Sequence, residues 1–125
     1  MPVEKVVAAA VQAAPVFLDR DATVDKAARL TKQAAANDAG LVVFPEAFVP
    51  AYPDWVWRLT PWSDEAWYER LYDQSVDVPG PATEALGTAA REASTYLSIG
   101  VNERAGGTLI VPSHRWTTSK IFAPR

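Results

Sequence analysis

The chain has 125 residues, 49% of them hydrophobic and 22% charged, with a net charge of −3 and a pI near 5.1. That composition fits one globular domain with a single core; it excludes a disordered chain and argues against nucleic acid as a partner. No run approaches the ~20 apolar residues of a membrane span. Cysteine is absent and His114 is the single histidine, so disulfides, thiolate or multi-histidine metal sites and a cysteine nucleophile are excluded within these residues.

In chain order, Lys5 to Gln12 is apolar and β-rich. Its core, Val6-Val7-Ala8-Ala9-Ala10-Val11, has the length of a short signal h-region, but Glu4 and Gln12 flank it and a buried strand accounts for it better. The cytoplasm is therefore the expected location. After a turn at Pro15, Asp21 is the candidate N-cap of a helix whose Val24, Ala27, Ala28, Thr31, Ala34 and Ala35 recur on one stripe. Gly40 suits a left-handed position closing that helix, and Leu41 to Phe44 follows as a strand. This is a β-α-β unit, which predicts two parallel strands.

Pro50 to Pro61 is an aromatic-rich loop. Ser63-Asp64-Glu65 caps a helix expected to turn Trp67, Tyr68, Leu71 and Tyr72 inward. Pro81 opens a third helix with the apolar stripe Ala82, Ala85, Leu86, Ala89, Ala90 and Ala93. Tyr96 to Val101 reads as a strand, and Gly106-Gly107 as the turn into another, Thr108 to Val111. The order β-α-β-α-α-β-β predicts a layered α/β fold.

One residue draws attention as chemistry. Pro45 ends the second strand and delivers Glu46 at its carboxyl edge, where open α/β sheets place ligands. Crowded by aromatics and prolines, the carboxylate would be partly desolvated and its pKa raised towards a general base's range. On spacing alone, a solvated loop glutamate is the reading the residues favour.

Resemblance changes that balance. FPEAFVPAYP, residues 44–53, resembles the glutamate motif of the nitrilase branch of the carbon–nitrogen hydrolases. Three further pieces fall in the same order: VAAAVQAAPV at 7–16, ATVDKA at 22–27, and SIGVNER at 98–104 followed by GGTL at 106–109. Trp55-Val56-Trp57 is closer to nitrilases than to the amidases that share the fold. The resemblance implies residues 1–109 as the N-terminal part of an α-β-β-α sandwich domain, with 110–125 a divergent tail. It implies hydrolysis of a small-molecule nitrile to a carboxylic acid and ammonia by a Cys, a Glu and a Lys, without a cofactor. Thiolate attack, proton handling by the carboxylate and stabilisation of developing charge by the lysine are the three roles. Glu46 is the one member that carries over.

The tail after Leu109 departs from the family pattern and is expected to be a truncated or frame-shifted end. Lys120 reads as a solvated tail lysine rather than the catalytic one, and His114 as an exposed tail histidine. Tyr52, Trp55 and Trp57 are candidates for a nitrile pocket, as are Trp62 and Trp67, with core or interface packing the competing role. For Asn102, Glu103 and Arg104 a structural ion pair or loop contact is the better reading. Ser63, Ser94 and Ser98 lack a G-x-S-x-G setting, and Gly106-Gly107 is a turn rather than a phosphate loop. Beside nitrile hydrolysis stand two other readings: a non-catalytic partner of a full-length homologue, exposed by an uncovered sheet face, and an amidase-like relative. Either self-association or instability is expected under the partner reading.

Overall fold

The computed structural model describes residues 3–110 and 118–124. Strand β1 (Ala8–Ala10) is followed by helix α1 (Arg20–Ala36) and strand β2 (Leu41–Val43). A 3₁₀ turn (Asp54–Trp57) precedes α2 (Glu65–Gln74), α3 (Pro81–Ala93), β3 (Tyr96–Val101) and the hairpin β4 (Glu103–Ala105) and β5 (Thr108–Ile110). Strand β6 (Thr118–Phe122) comes last. The main sheet runs β1-β2-β3-β6, with β1, β2 and β3 parallel and β6 antiparallel to β3.

The helix starts differ from expectation. Asp19, not Asp21, caps α1: its carboxylate accepts from the Ala22 N–H at 3.0 Å. Thr23 adds a hydroxyl bond to the Val16 carbonyl at 2.9 Å, which anchors the preceding loop to the first turn. The left-handed residue after α1 is Asp38 (φ 67°), not Gly40; aspartate tolerates that region because its short side chain bonds locally. At α3, Pro81 takes the first helical position and the Thr83 hydroxyl accepts from the Gly80 N–H at 3.0 Å. The stripe on α3 is narrower than its sequence suggests, since Ala85 is exposed while Ala82, Leu86, Ala89 and Ala90 are buried.

Alternation along the strands decides which face is core. Ala9, Val42, Leu97, Ile99, Val101 and Phe122 meet Val24, Ala27, Leu86 and Ala90 of α1 and α3 in the main core. The opposite row, Ala10↔Val43↔Ser98↔Ile121, has no layer over it among the described residues. Val43 is 40% exposed, Tyr96 50% and Ile121 73%. A second, smaller core gathers Leu18, Ala51, Trp55 and Leu71. On α2 only Leu71 is buried; Trp67 and Tyr68 lie at the surface instead of inward, and Tyr72 is half-buried.

Two arginines tie the segments together. Arg20 donates from its guanidinium to the Ser75 carbonyl at 3.2 Å, and its N–H bonds Gln74 Oε1 at 2.9 Å. Arg104 grips Asp77 with two bonds, Nε to Oδ1 at 3.0 Å and Nη2 to Oδ2 at 2.9 Å, and lies over the Tyr72 ring. This pairing holds the Asp77 carboxyl below the usual carboxylate range, the hydrogen bond from Arg104 being the largest cause.

Candidate active site

Glu46 lies on an excursion between two pairings of the same strand pair. Before it, the Phe44 N–H bonds the Ser98 carbonyl at 2.8 Å; after it, the Val49 N–H bonds the Gly100 carbonyl at 3.1 Å. Residues 45–48 therefore loop out while β3 advances by two residues. Phe44 and Phe48 anchor the base of the loop, both buried with ring centroids 5.1 Å apart. Ala47 takes a positive φ of 49°. Beyond the loop the Asn102 N–H bonds the Val49 carbonyl, and Asn102 Nδ2 reaches the Ala51 carbonyl, both at 2.8 Å.

Which face the loop occupies follows from β3. Gly100 shares its alternation with Tyr96 and Ser98, on the side away from the helices, and its Cα faces the backbone of residues 45–47. Glu46 is therefore carried at the carboxyl end of β2, over the uncovered face of the sheet. Its residue is exposed, so the crowding expected from neighbouring aromatics and prolines is not supplied by the described residues. The cause is the missing layer: Phe44 and Phe48 turn into the helix-side core rather than around the carboxylate.

The three aromatic candidates separate. Tyr52 and Trp57 stand together at the surface, the Trp57 indole N–H bonding the Tyr52 hydroxyl at 3.1 Å. Trp55, between them in the chain, turns the other way and is only 7% exposed. Its ring packs against Phe17, Trp67 and Tyr68 with centroids 6.3, 5.9 and 5.8 Å away. A shallow apolar hollow of about 200 Å³ beside it is lined by Phe17, Asp54, Trp55, Arg58 and Trp67, with Arg58 paired to Asp54. Burial, then the neighbouring Asp64, pushes the Tyr68 phenol upward at this cluster. Trp62 is 83% exposed and touches neither group of aromatics.

Lys120 is not a solvated tail lysine. It lies in β6 opposite Ile99, on the helix-side face, and its ammonium meets Glu103 Oε2 at 3.4 Å. The antiparallel register forces this: residues paired across strands share a face, so Lys120 stands on the side of the sheet opposite the Glu46 loop. Asn102, Glu103 and Arg104 are thus occupied by a loop contact and two ion pairs. The importance of Gly100 and Asn102 to the loop was not read from the sequence; the glycine between the β-branched Ile99 and Val101 of a strand was the available signal. His114 and Val111 lie outside the described residues. Among the described residues no group of His, Asp or Glu could hold a metal ion, and no helix is long and apolar enough to cross a membrane.

Residues 7–122 match the carbon–nitrogen hydrolase family. A nitrilase of Bacillus sp. (strain OxB-1) is 46% identical over 101 residues, covering 81% of this chain and 30% of the relative. An aliphatic nitrilase of Sinorhizobium fredii is 44% identical over 123 residues, 94% of this chain and 38% of that protein. An arylacetonitrilase of Hypocrea virens is 40% identical over 112 residues, 89% and 33% respectively. The chain spans about a third of the length of the curated relatives it matches. The match takes in the β1-α1-β2 unit, the glutamate loop and β3, and on that ground the chain belongs to the carbon–nitrogen hydrolase family, on its nitrilase side.

Proposed function

We propose that Glu46 is the proton-handling carboxylate of a site that hydrolyses a small-molecule nitrile to a carboxylic acid and ammonia. We further propose that these 125 residues by themselves complete no turnover, because they encode no cysteine to attack the nitrile carbon. The observation that carries this reading is the placement of Glu46 on a loop held over the uncovered face, at the carboxyl end of a parallel strand. A layer packed on that face, as in the α-β-β-α sandwich, would enclose the carboxylate and exclude water from it. Tyr52 and Trp57, both exposed beside the loop's exit, are the aromatic walls this reading assigns to the pocket; Trp55 is packing. Cytoplasmic residence belongs to the same proposal, resting on composition.

Two assays test it. The pure chain with a simple nitrile should release no ammonia; release that Glu46→Gln abolishes would overturn the inactivity. In a chimera, this chain's matching segment replaces that of the Bacillus sp. nitrilase. Glu46→Gln there should lower turnover by about 10²–10⁴-fold or more, and full activity would reject the role.

The uncovered face favours a second reading, association with a longer family chain that supplies the covering layer. Ala10, Val43, Tyr96 and Ile121 present an apolar surface that water does not favour. Size-exclusion of the pure chain showing a compact, well-folded monomer would contradict this.

A further inference from the structure

Resting on the reading of Glu46 above, we infer that Gly100, assisted by Asn102 just beyond the end of the same strand, is the positioning residue that fixes the glutamate-bearing loop. Gly100 does not have a positive φ, so backbone freedom is not what the position asks for. Space is. A Cβ built on Gly100 would stand 2.8 Å from the Pro45 carbonyl oxygen and 2.9 Å from the Glu46 carbonyl carbon, and closer still to the Ala47 nitrogen. All three are backbone atoms, which cannot rotate away as a side chain would. Any side chain at 100 therefore has to displace the peptide that carries Glu46. Of the other glycines, Gly80 is similarly crowded, but by the Asp77 carbonyl oxygen at 2.7 Å rather than by the glutamate loop; a Cβ on Gly40 would meet Val6 Cγ1 at 3.7 Å, an ordinary contact, and Gly106 and Gly107 have no described atom within 4 Å of that position.

Asn102 holds the far end. It is fully buried, and its Nδ2 donates to the Ala51 carbonyl at 2.8 Å while its Oδ1 finds no donor among the described residues. The buried carboxamide thus makes one directional contact, and that contact is to the loop's exit. Between these two fixtures Ala47 keeps a left-handed φ of 49°, which alanine adopts only when its surroundings impose it. The functional link is geometric. A general base has to sit within hydrogen-bond reach of the proton it moves, and a 1 Å misplacement costs about 10²-fold in rate. Gly100 and Asn102 touch no reacting atom; they act through the loop.

The test is heteronuclear NMR on the full chain labelled with ¹³C and ¹⁵N, which requires no turnover. Gly100→Ala should shift the Glu46 side-chain carboxyl carbon and the amides of residues 46–49. The Val49 amide should exchange with solvent about tenfold faster or more, as expected when a local closure is lost. Gly40→Ala, the same chemical change without the backbone clash, should leave those resonances in place. Gly100→Ala with Glu46 resonances no more displaced than in Gly40→Ala overturns the inference, as does lowered thermal stability with the loop unmoved. Should Gly100→Ala fail to fold, Asn102→Ser decides: it should move the same loop resonances and speed Val49 exchange, and an unperturbed loop refutes the assignment. A displaced loop in this experiment, alongside full activity of Glu46→Gln in the chimera, would reject the catalytic reading and leave the positioning intact.

Discussion

Trp55 and Trp57 sit two residues apart in one short 3₁₀ turn, and the structure gives them opposite energetic weights. Trp55 is 7% exposed and touches three rings; Trp57 is 67% exposed and keeps one surface hydrogen bond. A buried aromatic removes about 150–250 Å² from water, which at about 25 cal/mol/Å² corresponds to about 4–6 kcal/mol. The Trp55 indole nitrogen, which has no acceptor among the described residues, works against this, because a buried donor without an acceptor costs about 1–3 kcal/mol. Trp55→Ala should therefore destabilise by about 3 kcal/mol, at the lower end of large aromatic truncations. Trp55→Phe removes the orphan donor and keeps most of the ring, so it should cost less than about 1.5 kcal/mol. Trp57→Ala should stay within about 0.5 kcal/mol of the parent. Urea unfolding followed by far-ultraviolet circular dichroism gives all three from the midpoint and slope. Equal losses for Trp55→Ala and Trp57→Ala would refute the division of this turn into a packed and a solvent-facing ring. The same result would return Trp55 to the candidate pocket.

Two further outcomes follow from the backbone and the charges. Ala47→Gly should stabilise the fold by about 1 kcal/mol, since glycine adopts the left-handed φ of 49° without the steric cost alanine bears; a destabilised variant in urea titration would show that the conformation is not a strained one. The Asp77 carboxyl is held low by Arg104, so its contribution is present above the ordinary carboxylate pKa and is lost as pH falls through the lowered folded value. The stability difference between parent and Asp77→Asn should therefore be constant near neutrality and shrink below about pH 4. A difference that grows on acidification, in matched denaturation curves, would mean the pairing is absent in solution.

Much of the fold was legible because it is local. The 3.6-residue stripe of Val24, Ala27 and Thr31 announced α1, and all three are buried. Tyr96–Val101 was readable as a strand from its apolar, β-rich run, and its bounds agree with the structure. Pro45 marked the end of β2 and placed Glu46 at a strand's carboxyl edge, where the structure carries it. Cap positions were less legible, since Asp19 and Asp21 have the same chemistry and only the direction of the entering chain selects between them.

What the sequence alone determined, then, is the order of elements as far as β3, the family and the one carboxylate to examine, because these depend on short-range pattern and motif; strands β4 and β6 were not among the expected elements. Tertiary structure decided how those pieces face one another. It turned Trp55 inward and Trp57 outward, and it put Lys120 in β6 opposite Ile99, on the side of the sheet away from Glu46. It also set the backbone of residue 100 against that of residue 46. Each of these depends on register and close approach between segments far apart in the chain. A period read along one strand says which residues share a face, but not what lies across from them.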